Sequence, residues 1–401
     1  MNTAVVVTGL GVVAPHGNEL QLMFDALMRA ESAIKPIFPE LPKPAAAALA
    51  PFDESRWFTK LQLAGVDRVS QLAVAAADLA MRDAGVAGDV DPERLGVFAG
   101  CGMGGAAALE AAYRGGARVP PLTIPAFMPN APASHVAMRQ HAQGPVLTYS
   151  MACASSAVAI AEAAKAVQSG EVDVAIAGGS EALIVPGVVL AWQAMQTLAS
   201  FAPDAAATAV RPFATDRSGF ALGEGAAFVV LESEAHARRR GATIYAQLAG
   251  WGLSTDATHL TKPDAHGQAR ALNAALRRAD LAPRDVGYCN AHGTATRVGD
   301  VVERDALTAV WGSHIDELRV SSTKALHGHL LGGAGALEAV ITVLALHQRQ
   351  LPPNAHCNVI DPACSLNLVL EPNAAAPQLE AAISNSFAFG GSNSVLLFKR
   401  V

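Results

Sequence analysis

The sequence predicts an α/β protein whose largely parallel sheet is covered by helices on both faces. Short Val/Ile/Ala-rich runs alternate with longer Ala/Leu stretches of helical period along the chain. Strands alternating with helices are joined by crossovers, which make neighbouring strands parallel and bury both faces. The composition is 51% hydrophobic but 5% aromatic and 16% charged, with 35 glycines, which suits tight strand–helix turns and closely packed helices. At 401 residues the chain suits two packed subdomains or one large α/β domain.

In chain order, the apolar run Ala4–Thr8 gives a strand and Leu20–Arg29 a helix. Ser70–Ala84 is helical, Arg94–Ala99 extended, Ser155–Ser169 helical, and Val172–Ala177, Ala226–Leu231 and Tyr245–Gly252 extended. Helix Ala269–Ala279, strand Asp285–Asn290, helix Val301–Trp311, strand Leu318–Ser321 and helix Ala334–Arg349 continue the alternation. Strands Ala382–Asn385 and Ser394–Phe398 close it. The Ala/Pro-rich stretch Pro42–Pro51 reads as a surface loop. The second part repeats the rhythm of the first, so a division into residues 1–245 and 246–401 is expected, although no close internal repeat supports it.

The formal net charge of −6 gives no basic field for nucleic acid, and an acidic partner needs a local basic patch. Five widely spread cysteines without a Cys-x-x-Cys pair fit a reducing compartment. Met1-Asn2-Thr3 leads into the first strand without a signal-peptide pattern, and apolar runs such as Ala182–Trp192 fall short of the roughly 20 residues a bilayer needs. A soluble cytoplasmic protein is expected.

Cys153 precedes the helical stretch Ser155–Ser169, at a helix start where unpaired N–H groups and the dipole favour a thiolate, bringing the pKa from about 8.5 toward neutrality. His292, in Asn290–Thr296, and His329, in Ser322–His329, each follow a strand amid Gly, Thr and Ser, where loops expose backbone. A cysteine with two histidines is the material of covalent acyl chemistry. Gly100–Gly105 matches G-x-G-x-x-G, but it does not follow the first strand and only a proline-rich loop stands where the ribose-binding acid belongs, so the glycines are read as close packing. His327 and His329 lack a third ligand at metal spacing and have Lys324 nearby, so no metal is expected. Cys101, Cys289, Cys357 and Cys364 are read as core residues, and His16, His135, His141, His266 and His356 as structural.

With these segments, Val6–Val13, Arg211-Pro212-Phe213 and Gly219–Gly225, the chain resembles the elongating (type I/II) β-ketoacyl-acyl carrier protein synthases of the thiolase-like superfamily over nearly its whole length. The resemblance implies two similar βαβαβαββ halves in a five-layered αβαβα sandwich, normally a homodimer. It implies that Cys153 is the nucleophile, that His292 and His329 are catalytic, and that Lys324 and Glu303 support them. Thr294 and Thr296 match residues that bind the phosphopantetheine arm. Phe389 matches a gating aromatic whose N–H joins that of Cys153 in an oxyanion hole, and Met103 a position that narrows the acyl pocket near the dimer interface. The implied reaction condenses an acyl group with malonyl-acyl carrier protein, as in fatty-acid elongation, with no cofactor beyond the carrier's phosphopantetheine.

Gln196–Pro203 carries no basic residue where common members have arginines, and Phe38–Arg56 is short and proline-rich. A specialised ketosynthase of a polyene or polyketide pathway, possibly heterodimeric with a chain-length partner, is the alternative. A non-catalytic partner would lose the cysteine, a thiolase would carry a second cysteine within Ser384–Asn393, and a starter-type synthase would pair His with Asn; the residues favour elongation. Lys60, Arg68, Arg114 and Arg118 are candidates for a basic rim that meets the acidic carrier.

Overall fold

The computed structural model describes residues 3–86, 90–116, 118–202 and 204–401; Met1, Asn2 and Pro203, named above, lie outside them. Eleven strands are hydrogen-bonded in one series: β1 (Val5–Val13), β2 (Leu95–Gly100), β3 (Val146–Tyr149), β4 (Val174–Glu181), β5 (Gly225–Ser233), β6 (Ala246–Thr255), β7 (Tyr288–Asn290), β8 (Arg319–Ser321), β9 (Asn367–Leu368), β10 (Ala381–Phe387) and β11 (Ser392–Lys399). Their order is β9-β8-β7-β10-β11-β6-β1-β5-β4-β2-β3. Counting strands from β1 in the first half and from β6 in the second, and leaving aside the two-residue β9, both halves run third-second-fourth-fifth-first.

The strand directions repeat as well. The third, second and fourth strands are parallel, while the fifth is antiparallel to its neighbours. The sheet is therefore mixed rather than largely parallel, because each half ends in two strands with no crossover helix packed between them. Only two residue pairs, Val6–Gln247 and Val7–Ala246, join β1 to β6, so each half is essentially a sheet of its own.

Six helices build the layers: α1 (Arg68–Ala84), α2 (Ala131–Gln140), α3 (Ser155–Ser169), α4 (Ala265–Ala279), α5 (Gly299–Trp311) and α6 (Ala334–Gln348). Helices α3 and α6 touch each other, α3 lying on β2 and β4 and α6 on β10 and β5; they are the middle layer. Helix α1 covers β1 and β5 from outside, and α4 covers β6 and β11. The α6 segment is apolar all round, as a helix surrounded by protein must be; its window Leu331–Gln348 has the length and hydropathy to cross a membrane, yet 89% of it is buried within the fold. Gly9 and Gly11 let α1 sit directly on β1, since a Cβ on them would meet the Ala80 and Ala76 carbonyl oxygens at 2.3 and 2.1 Å.

One expectation fails locally, and two elements go unread in the sequence. Within Pro42–Pro51, Ala45–Ala48 is a buried strand paired with Lys35–Ile37 and Leu222–Gly223, not a surface loop; a run of alanines has no alternation to announce a strand. Strand β3, with Val146 and Leu147 exposed at the sheet edge, and α2, which carries Pro132 in its first turn, carry too weak a periodic pattern to be read from sequence.

Candidate active site

The site lies beyond the carboxyl ends of the parallel strands, where α/β sheets open a crevice. Cys153 follows β3 on a single 3₁₀ turn, Ala152–Ala154, that runs into α3 at Ser155. His292 stands two residues after β7, and His329 beyond β8 and the short helix Lys324–His327. Three non-glycine residues with left-handed backbone flank these positions: Ala152 (φ 44°), Ala295 (φ 59°) and Leu331 (φ 46°). Such strain persists only where the surroundings over-determine it, and it clusters at functional sites.

The fold brings Cys153, His292 and His329 together. His329 Nε2 lies 3.0 Å from Cys153 Sγ, the two imidazole centroids are 5.5 Å apart, and the nearest ligand atoms of all three residues fall within 4.8 Å of one another. The Leu331 N–H donates to His329 Nδ1 at 3.3 Å, which places the imidazole proton on Nε2 and aims it at sulfur. Burial first, then the positive charge of Lys324, holds both histidines well below their ordinary range, so each is neutral at pH 7. His292 Nδ1 is buried with no hydrogen-bond partner among the described residues.

Lys324 is fully buried and paired with Glu338 at 2.5 Å; burial lifts Glu338 to about 7 against the pull of that lysine. Glu303, on α5, accepts the His292 and Gly293 N–H groups at 2.9 and 2.8 Å and the Asn385 amide at 3.0 Å, which fixes the loop that presents His292. Glu181, at the end of β4, accepts the N–H groups of Gly102, Met103 and Gly332 at 2.8, 3.2 and 3.0 Å, tying the glycine-rich loop to the loop after His329. A Cβ on Gly102 would meet that carboxylate at 2.5 Å, so these glycines do serve close packing. His327 is committed to Thr323 Oγ1 and the Gly328 carbonyl and takes no part. The cysteine and two histidines could geometrically hold a metal ion, but the Lys324 charge that depresses both imidazoles would repel a second cation.

Cys153 departs from the sequence expectation. Burial pushes its thiol up to about 12, with Lys324 opposing and Glu338 and Glu181 adding to the rise. The thiol sits before the helix proper, on the 3₁₀ turn, and withdrawal from water outweighs the dipole. Alkylation of Cys153 by a small haloacetamide should therefore rise about tenfold per pH unit between pH 7 and 10, and a plateau near pH 8, measured by mass spectrometry, would restore the ionised-thiol expectation.

A cavity of about 640 Å³ reaches the three residues, with Thr294, Thr296 and Phe389 in its wall. Thr294 and Thr296 hydroxyls are 3.1 Å apart. The Phe389 ring stacks on Trp192 at 6.1 Å, on a turn whose Gly390 and Gly391 take φ of 86° and 74°. Met103 is 47% exposed and lies outside this cavity. Of the four expected rim cations, Arg68 is withdrawn, since its guanidinium grips the buried carboxylate of Glu224 at 2.6 Å. Lys60, Arg114 and Arg118 are exposed but do not line the cavity. Lys262 and Arg297, which the sequence reading passed over, do. Arg297 stands one residue after Thr296, a proximity that could have flagged it.

Family models for the β-ketoacyl synthase N-terminal and C-terminal domains match residues 2–237 and 245–358. The chain is 41% identical over 411 residues to nodulation protein E of Rhizobium meliloti (strain 1021), covering all of both proteins. It is 37% identical over 412 residues to 3-oxoacyl-[acyl-carrier-protein] synthase 2 of Staphylococcus aureus (strain N315), covering all of this chain and 99% of that one. Among solved structures, the ishigamide ketosynthase/chain length factor superposes with a TM-score of 0.93 at 30% identity over all of both chains. Sequence, sheet topology and the Cys–His–His cluster converge: the chain belongs to the β-ketoacyl synthase family.

Proposed function

We propose that this ketosynthase joins an acyl group held on Cys153 to a malonyl unit delivered by acyl carrier protein, releasing carbon dioxide and a β-ketoacyl carrier product. The observation that carries this reading is the buried cluster in which two neutral imidazoles face one thiol in the wall of the cavity. In the loading half, sulfur of Cys153 attacks the acyl thioester, the carrier thiol departs with the proton Cys153 gives up, and the thioester is re-formed on Cys153. The N–H groups of Cys153 and Phe389 stabilise the oxyanion. In the condensing half, neutral His292 and His329 donate to the malonyl thioester oxygen while the carboxylate leaves as carbon dioxide; the resulting enolate carbon attacks the acyl-cysteine, and Cys153 leaves as the thiolate.

Lys324 and Glu303 act behind the histidines, the first by charge and the second by holding the His292 loop. Thr294 and Thr296 bond the phosphopantetheine arm, and neither metal nor redox cofactor is required. The chain divides near residue 245, the first half supplying the nucleophile and the second the histidines, a reading supported by the repeated strand order and the two matched domains. A second subunit covering the exposed edge strand β3 would make a homodimer in the cytoplasm and would bring Met103 into the acyl pocket. On that reading Met103→Phe should lower loading of long acyl groups about 10–100-fold while acetyl loading survives; equal loss at every length removes Met103 from the pocket.

The uncharged Gln196–Pro203 segment and the likeness to a ketosynthase/chain length factor pair favour a second reading, a specialised ketosynthase of a polyketide pathway with a heterodimeric partner. Mass spectrometry of the protein after exposure to acyl carriers tests the shared chemistry: the acyl mass should appear on Cys153, and its appearance on another cysteine would refute the assignment.

A further inference from the structure

Lys262 and Arg297 border the cavity from two separate loops, and both side chains are exposed. Among the described residues neither forms a salt bridge. Their backbones are nonetheless held firmly. The buried guanidinium of Arg217, 4% exposed, donates to the Thr296 and Arg297 carbonyls at 3.1 and 2.9 Å and is itself anchored by Asp361 at 2.6 Å. On the other side, His259 Nδ1 accepts the N–H groups of Thr261 and Lys262 at 3.1 and 3.2 Å, and the Gly390 N–H donates to the Leu260 carbonyl at 2.7 Å.

The carboxylates of Asp256 and Glu303, which line the same cavity, are already engaged, Asp256 accepting from Asn393 at 2.7 Å and from the Asp264 N–H at 3.1 Å, and Glu303 from the His292 and Gly293 N–H groups. Two cations on pinned loops at the wall of a cavity that the Cys153 thiol also lines suit a ligand that carries both a thioester and an anion. An arginine fork and a lysine point charge both match a phosphate group.

We propose that Lys262 and Arg297 hold the phosphodiester of the phosphopantetheine arm and so select arm-borne thioesters over thioesters that lack the phosphate. This rests on the ketosynthase reading above. It gives the arm a charged contact on a chain whose Gln196–Pro203 segment offers none.

The probes are acyl-phosphopantetheine and acyl-pantetheine, which differ only in the phosphate, with loading of Cys153 followed by mass spectrometry on the full chain. For the wild-type protein the KM for acyl-pantetheine should exceed that for acyl-phosphopantetheine by about tenfold or more, and the gap should shrink as salt is raised. In the Lys262→Ala, Arg297→Ala double variant the ratio should fall to about one, and Arg297→Lys should restore part of it. A wild-type ratio near one, or a ratio unchanged in the double variant, overturns the assignment. Weakened carrier loading without a change in the ratio overturns it too, and places the cations against the carrier's acidic surface. Failure of the wild-type protein to load from either probe or from the carrier would instead count against the ketosynthase reading itself.

Discussion

Replacing Cys153 by alanine is expected to abolish condensation, with a loss of about 10⁴-fold or more, while the protein stays folded. In the proposed reaction, sulfur is the atom that carries the acyl group between the two half-reactions. The other four cysteines are buried, with Cys289 and Cys101 raised well above the ordinary thiol range by burial. The side chain lost is small and contacts the cavity, so the alanine variant should melt within a few degrees of the parent. Residual condensation within tenfold of wild type, or acyl mass still bound to the variant, would remove Cys153 from the mechanism.

His292→Ala and His329→Ala should each slow malonyl decarboxylation by about 10²–10³-fold, the scale of removing one preorganised donor to a developing oxyanion. Loading should suffer less, because the Leu331 N–H fixes His329 as a donor to sulfur rather than a base that takes the thiol proton. Carbon dioxide release and single-turnover acylation separate the two steps. Equal losses in both would make His329 the base of a Cys–His pair. With the imidazoles held well below their ordinary range by burial and Lys324, the decarboxylation rate should show no inflection near pH 6.5 on the acid side, where an ordinary histidine would gain its proton and stop donating to a substrate oxygen as a neutral group.

The sequence disclosed the site where its chemistry is local. His292 and His329 announce themselves through a strand end followed by small residues, and Cys153 through the helix Ser155–Ser169 that it precedes, which lies where its Ala-rich period places it. Charge partners separated along the chain were not legible. Nothing near Arg68 indicates that it is consumed by Glu224, 156 residues away. Glu338 did leave a mark, as the sole acid in the apolar stretch of α6, where an unpaired carboxylate could not be tolerated; its partner Lys324 had been singled out without it. The raised Cys153 thiol was hidden for a related reason, since the burial that governs it comes from elements hundreds of residues apart in the chain. The mixed strand directions were missed because alternation of strands and helices reports crossovers and is silent about the two strands that close each half.

The strand order carries a consequence for biosynthesis. In the second half, β10 and β11 stand between β7 and β6, yet they are encoded after everything they join. During translation the three-residue strands β7 and β8 can find no place beside β6 until residues 381–399 have left the ribosome. The thiol and the imidazoles therefore meet only in a nearly finished polypeptide. This long-range closure should make the second half the slow step of folding and the stretch most dependent on chaperone protection.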